Sequence, residues 1–401
     1  SEMCIRDRSI GCERCHGPGE RHVKLRESGA KVDKSDFTIV NPRQLTPMLR
    51  DAVCEQCHLQ GEERVLRRGR ETFDFRPGMP LQEFSSVFVR PPELTTTYRS
   101  VGQAEQLRRG RCHSGSKGEL GCISCHDPHY RPEPAKRVEY YRAKCQACHN
   151  ERGCSMPHGE RLQREPNDSC IACHMSKDGS RNIPHTAVTD HRILRRPESG
   201  APPASQGLRA GQLPLVGFHP ELSQSHAAER ERDLGVALME ISRQGKAQRE
   251  ESAGLAEPLL EAALRRHPND AEAWSARGFA LTSLKRTGPA LEAFGRAIEL
   301  RPNHESALVE AAFVCGSNGR VEEAIGYWKK AIAVNPYQPH YHLELARLHA
   351  QRREWTQARP ASESAIKLLP LNADARMLLV TALARTGETN RAQQEFDTLL
   401  K

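Results

Sequence analysis

Over residues 228–401 apolar and polar positions follow a helical period, and that pattern itself repeats. Pro268, Pro302, Pro336 and Pro370 are spaced by 34 residues, as are Ala263, Ala297, Ala331 and Ala365. Within 271–304 the order is fixed: Trp274, Gly278, Ala290, Phe294, Ala297, then Pro302. The small residues let two antiparallel helices approach closely, while Trp274 and Phe294 fill the space between turns. Proline lacks the donor and ends the second helix. The spacing predicts helix pairs over 271–304, 305–338, 339–372 and 373–401, after a degenerate pair at about 228–270 with a longer inner loop. One pair cannot bury its apolar face alone, so the pairs are expected to stack into a right-handed solenoid. Phe279 and Phe313 either line the groove of inner helices or pack between pairs.

A 34-residue period with Ala and Pro at fixed phase is the tetratricopeptide signature. The preceding residues follow a different pattern. From 9 to 191 the chain shows short helical patches broken by scattered Pro and Gly, and 192–227 is a Pro/Gly/Ser stretch expected to be a connection. The fold class expected is therefore mainly α: a loop-rich domain over 9–191, then an α-solenoid over 228–401. Residues 1–8 read as a non-native scar, which removes Cys4 from the argument and leaves any export signal lost from this chain. With 37% hydrophobic and 5% aromatic residues, side chains alone supply a thin core for the first half.

That half carries the chemistry. Cys-x-x-Cys-His occurs five times: Cys12/Cys15/His16, Cys54/Cys57/His58, Cys122/Cys125/His126, Cys145/Cys148/His149 and Cys170/Cys173/His174. With 14 Cys and 18 His in 401 residues, chance supplies roughly 0.02 such pentapeptides. The spacing is that of c-type haem attachment, in which two thiols bind the vinyl groups of one porphyrin and the adjacent histidine reaches its iron. Zinc ribbons need two Cys pairs per ion and no histidine fixed beside each. Disulfide staples and thioredoxin-like redox motifs do not explain five copies either. Five covalently held haems are thus expected, each also contributing apolar surface to the thin core. Of the remaining cysteines, Cys112 and Cys154 could pair or stay free, and Cys315 falls at a helix-core position.

A second axial ligand decides whether an iron is closed or open to substrate. Six further histidines precede residue 192: His22, His113, His129, His158, His185 and His191. Six candidates for five irons point to mostly bis-histidine sites, with surface positions or propionate contacts as the alternative for any one of them. His129 lies three residues beyond His126, a span of at most about 10 Å. It cannot pass round the porphyrin to the opposite face of its own haem, and His22 is similarly short of reach from His16. As ligands, both would serve neighbouring haems and draw the cluster together. Met48, Met79 and Met156 are weaker candidates, and Met175 is too close to His174 to serve that haem.

Residues 1–200 carry a net charge of +7 and the rest +1. Ten haem propionates would absorb such an excess, so nucleic-acid binding is not expected. The run Arg64, Arg67, Arg68, Arg70 is a candidate for that pairing, with a solvated charged face as the alternative. No stretch approaches twenty apolar residues, so no transmembrane helix is expected.

The segments 11–22 (Gly-Cys-Glu-Arg-Cys-His-Gly-Pro-Gly-Glu-Arg-His), 121–129 (Gly-Cys-Ile-Ser-Cys-His-Asp-Pro-His) and 170–193 resemble the multihaem cytochromes c that end in tetratricopeptide repeats. The haem part is similar to the superfamily containing the tetrahaem electron acceptor of hydroxylamine oxidoreductase and the pentahaem nitrite reductases. The resemblance covers about 11–200, and the repeats extend it to the end. It implies that His22, His129 and His191 are distal ligands, with His185 as a further candidate; His113 stands as a candidate on the histidine count alone. It also implies an export signal and at least one further haem motif, neither of which occurs here. The function expected is electron relay in the periplasm or another extracytoplasmic space, with the repeats docking a redox or assembly partner. The alternative is an oxidoreductase acting on a small nitrogen or sulfur compound at one open haem; surplus histidines and the absence of any Lys-for-His motif favour the carrier.

Overall fold

The computed structural model describes residues 11–31, 36–91, 102–149, 153–179, 187–195, 213–219, 227–245 and 247–400. They fall into two compact units, Ser1–His226 and Ala227–Lys401.

The first unit is built from short helices: α1 (Glu13–His16), α2 (Glu20–Glu27), α3 (Pro47–His58), α4 (Gln103–Arg109), α5 (Arg111–Gly115), α6 (Cys122–Cys125), α7 (Arg137–His149), α8 (His158–Arg164) and α9 (Cys170–His174). Its strands are β1 (Glu63–Leu66), β2 (Ser85–Val89), β3 (Lys177–Gly179), β4 (Ala187–Thr189) and β5 (Val216–Gly217). A small antiparallel sheet has the order β1-β2-β5, and every residue of β2 is buried. Against it pack Ala52 and Leu59 near the end of α3, with Phe75, Leu81, Phe84, Ala104 and Phe218. Among the described residues of this unit, these side chains form a small apolar core.

The stretch 192–227, expected to be a connection throughout, departs from that at 213–219. There β5 pairs with β2, Phe88 opposite Gly217. Leu215 and Phe218 are buried while Val216 is partly exposed. Arg108 lies 4.6 Å over the Phe218 ring, and His219 Nε2 meets Glu55 Oε2 at 3.1 Å. A few apolar residues among prolines and glycines are too short a signal to show a strand in the sequence.

The second unit is ten helices in series: α10 (Ala227–Arg243), α11 (Arg249–Arg266), α12 (Ala271–Ser283), α13 (Thr287–Leu300), α14 (Glu305–Ser317), α15 (Val321–Val334), α16 (Pro339–Gln351), α17 (Trp355–Leu368), α18 (Ala373–Arg385) and α19 (Thr389–Leu399). Each helix packs on the next, and first helices of successive pairs also touch, α10 on α12, α12 on α14 and α16 on α18. Asp270 and Asn372 cap α12 and α18 by accepting from Ala273 and Ala375 backbone N–H groups. Gly278 is required by close approach: a Cβ there would stand 2.5 Å from the Phe294 ring. Phe279 is buried, with the Arg243 guanidinium 4.9 Å over its ring. Phe313 stays partly exposed, edge-on to Trp328 and stacked 5.6 Å from His340. Cys315 is fully buried, as its core position predicts.

Candidate haem centre

Every Cys-x-x-Cys-His motif lies on a helical turn. Motif 1 straddles α1, motif 2 ends α3, motif 3 spans α6, motif 4 ends α7, and motif 5 is α9. The His16 N–H donates to Cys12 O and the His126 N–H to Cys122 O, each at 3.0 Å. Positions i, i+3 and i+4 share one helix face, so both thiols and the imidazole emerge on the same side. Helices α1, α6, α7 and α9 bury no side chain against protein.

The ten motif thiols are accessible, in contrast to Cys315. Cys12, Cys57 and Cys148 are exposed, while Cys15, Cys54, Cys122, Cys125, Cys145, Cys170 and Cys173 are half-buried. All are free thiols, and so are Cys112 and Cys154, which do not pair with each other. The sequence assigned each thiol to its own motif; the fold adds neighbours from other motifs. Cys57 of motif 2 lies near Cys15 of motif 1, whose thiol is pushed up by burial first and by Cys57 next. A hydrogen bond to Cys54, then burial, raises Cys122. Cys148 lies near Cys112 and Cys125, and burial, then the neighbouring Cys170, pushes Cys145 up to about 11. Cys173 stands on α9 beside His174. Among the described residues no three or more His, Cys, Asp or Glu side chains gather as they would round a single ion. Open thiol pairs beside helices without a protein core fit a large flat group bonded at those sulfurs.

Successive motifs are tied to one another. Gln56, inside motif 2, donates to the carbonyl of Arg14, inside motif 1, at 3.0 Å. Arg50 of α3 donates to Glu119 O and Gly118 O at 3.0 and 3.2 Å, fixing the approach to motif 3. Helix α6 packs on α7, whose Tyr141 ring stands edge-on 5.9 Å from His126. Helix α7, which ends at His149, packs on α9, and Arg142 donates to Asn167 O and Asp168 O just before motif 5. The motifs therefore adjoin in the order 1-2-3-4-5.

Four of the motif imidazoles meet a partner at Nδ1. His16 Nδ1 bonds Val40 O at 2.8 Å while Val40 N–H donates to His16 O, and His174 repeats the device with Leu194 at 2.6 Å. A backbone carbonyl accepts only from N–H, so both Nδ1 atoms carry the proton and Nε2 keeps its lone pair for a metal. His58 Nδ1 lies 3.4 Å from Gln103 Oε1, and His126 Nδ1 lies 3.5 Å from Tyr141 Oη. Sequence reasoning missed all four partners. Two are main-chain carbonyls, which no residue type advertises.

Two ring pairs bear on the distal positions. The centroids of His16 and His129 are 5.8 Å apart, and those of His126 and His191 are 6.2 Å apart. Metal–imidazole bonds of about 2.0–2.1 Å on both sides of one iron put opposed ring centres roughly 6 Å apart. His191 Nδ1 donates to Thr189 O at 2.8 Å at the end of the β3–β4 hairpin, which again leaves Nε2 for a metal. Burial, reinforced by the neighbouring His191 and His58, lowers the pKa of His126, and burial lowers that of His191. Both are thus held in the neutral form that a ligand needs.

The other candidates are more dispersed. His22 Nδ1 bonds Asp36 Oδ2 at 2.8 Å. Asp36 also accepts from Thr38, Arg26 and the Thr38 N–H; the Thr38 bonds first, then His22, hold its carboxyl at about 2. His113 is half-buried on α5 near Arg108 and Asp51, with its pKa lowered by burial first and Arg108 next. His158 is exposed at the start of α8, and His185 lies outside the described residues. In the arginine run, Arg64 binds the carbonyls of Glu55, Gln56 and Leu59 at the end of α3, and Arg67 binds Gln82 O. These two are engaged within the protein rather than forming a solvated face.

Comparison with known proteins agrees with both halves. The tetratricopeptide repeat family model matches residues 247–305, 316–363 and 343–401. The doubled CXXCH motif model matches 113–153, which contains motifs 3 and 4. The multihaem cytochrome MtrA of Shewanella baltica (strain OS185) is 25% identical over 182 residues, 45% of this chain and 47% of that protein. The chain thus spans about half the length of the curated relative it matches. Among solved structures, MamA 41-end from Desulfovibrio magneticus RS-1 is 20% identical, covering 44% of this chain and 94% of that one at a TM-score of 0.37. Another MamA crystal structure is 18% identical, with coverage of 44% and 92% and a TM-score of 0.38. The matches support a multihaem c-type cytochrome sequence joined to tetratricopeptide repeats. No helix of the described residues is long and apolar enough to cross a membrane.

Proposed function

We propose that the first unit carries five c-type haems and relays single electrons along them, while the repeats dock a protein partner. The observation that carries this reading is the agreement of two His–His ring separations, 5.8 and 6.2 Å, with the span of two imidazoles on one iron. Haem bound there would supply a one-electron ferric/ferrous couple at each motif. The chain's part is to hold the thiol pairs on helical turns, to orient His16, His58, His126 and His174 through Nδ1, and to keep successive motifs adjacent. On this reading Cys57, Cys148 and Cys173 each bond the second vinyl group of their own motif's porphyrin, as Cys15 and Cys125 do in theirs. His129 would then help hold the haem of motif 1 and His191 that of motif 3. Two closed irons favour a carrier over an enzyme. Thioether attachment is a process of the extracytoplasmic side, which favours a periplasmic or surface location.

The test is expression in an exporting host with its haem-attachment machinery. The expected result is a red protein whose mass exceeds the polypeptide by five haems and whose low-spin spectrum is reversibly reduced. A colourless product at polypeptide mass, under conditions that mature another c-type cytochrome, overturns the proposal.

A further inference from the structure

The motif imidazoles of His16, His58, His126 and His174 differ in what their Nδ1 atoms meet. At the ends, His16 and His174 donate to main-chain carbonyls at 2.8 and 2.6 Å. Inside, His58 and His126 have neutral side-chain partners at 3.4 and 3.5 Å, Gln103 and Tyr141. A hydrogen bond from Nδ1–H to a good acceptor pushes electron density toward Nε2 and makes the imidazole a stronger donor. A stronger donor favours ferric over ferrous iron and lowers the potential. On the opposite sides, His129 has the Asp127 carboxylate 3.8 Å from its Nδ1, while His191 donates to Thr189 O at 2.8 Å, which gives motif 3 a main-chain acceptor as short as that of motif 1 and leaves those two unranked.

We propose that these Nδ1 partners bias the haem potentials, the long Gln103 contact placing motif 2 above motifs 1 and 5, so that electrons settle at motif 2 before the ends of the run. The inference rests on the five-haem reading above. It makes the first unit a run of unequal sites rather than a wire of equal ones. Gln103 and Tyr141 are positioning residues in this scheme: they act on the couples through His58 and His126.

The experiment is a potentiometric titration of the haem-loaded full chain, followed by optical and electron paramagnetic resonance spectra, for the unaltered protein, Gln103→Glu, Gln103→Leu and Tyr141→Phe. Gln103→Glu offers a carboxylate to His58 and is expected to move one couple down; Gln103→Leu removes the acceptor and is expected to move that same couple up. Tyr141→Phe is expected to raise a different couple. In the unaltered protein the couple sensitive to Gln103 lies above the two lowest. The ranking is overturned if the couple that responds to Gln103 substitution is among the two lowest, or if no couple moves in either Gln103 variant. The haem mass of each variant keeps the two ideas apart, since loss of haem speaks against the five-haem reading and unmoved couples at full haem content speak against the ranking.

Discussion

The imidazole rings of His16 and His129 lie with centroids 5.8 Å apart and planes 15° from parallel. His129 follows motif 3, yet its ring stands beside the histidine of motif 1. Three residues from His126 are too few to pass round a porphyrin held at motif 3, and the ring's place beside motif 1 is consistent with that limit. The contact joins two motifs that are far apart in the sequence.

The first prediction follows from that pairing. Replacing His129 with Ala is expected to convert one haem equivalent from low to high spin and to let it bind cyanide, while the haem mass stays unchanged. His191→Ala is expected to do the same at a second haem, and the double variant to show two. An unaltered low-spin spectrum in His129→Ala would exclude it as a ligand.

The repeats were legible because each 34-residue unit uses the same few residues for the same physical task. Gly278 sits under Phe294 and Pro302 follows the end of α13, as their spacing required. The motifs were equally plain, since three residues at fixed offsets form one face of a helical turn. Which thiols of different motifs adjoin, such as Cys57 and Cys15, needed the fold, because their nearness comes from how α3 meets α1. The neighbours of the spare histidines were only partly legible. Reach argued against His129 facing His126 across one site, but its place beside His16 needed the fold. The tethers at Val40 and Leu194 were invisible because a carbonyl belongs to every residue. Strand β5 was hidden by the prolines and glycines around it.

Gly121 gives a second prediction. It immediately precedes motif 3, and a Cβ there would run into the Arg50 guanidinium and the Asp51 carboxylate. Arg50 and Asp51 form a buried pair at 2.9 Å, and Arg50 also holds the carbonyls of Gly118 and Glu119. The backbone at Gly121 is extended and suits any residue, so an effect of substitution comes from the collision. Gly121→Ala is expected to cost about 1–3 kcal/mol, as overpacking does, and to lower the thermal midpoint of the haem unit. A midpoint equal to that of the unaltered protein would show that Arg50 simply swings away.

A third concerns the join between the first two helix pairs. Arg232 of α10 binds both carboxylate oxygens of Asp270 at 2.9 and 3.0 Å and Asp233 at 2.8 Å, all buried. The Asp270 carboxylate also caps α12 through the Ala273 N–H. Arg232→Met leaves two buried carboxylates without their cation, which is expected to cost about 3–5 kcal/mol. Urea unfolding followed by tryptophan fluorescence reads this directly, because all three tryptophans, Trp274, Trp328 and Trp355, lie in the repeats. A loss below about 1 kcal/mol would place the pair among ordinary surface ion pairs.

The last prediction is a pH dependence of the repeats. Burial opposes ionisation of Glu272, but the contacts with His304 and Arg301 outweigh it and hold the carboxyl at about 2. The Arg301 guanidinium lies 2.7 Å away and His304 Nε2 3.5 Å. Both partners come from the turn between α13 and α14, so Glu272 ties α12 to the start of the next pair. A carboxyl depressed in the folded state adds stability that is fully present above its unfolded value of about 4.3 and is lost as pH falls toward 2. The unaltered protein is therefore expected to unfold at less urea at about pH 3 than at about pH 6, with part of that drop due to this group. In Glu272→Gln the midpoint at about pH 6 is lower and the drop on acidification smaller, since the amide does not titrate. Equal drops in the two proteins, read by tryptophan fluorescence, would show that Glu272 contributes nothing to the acid sensitivity of the solenoid.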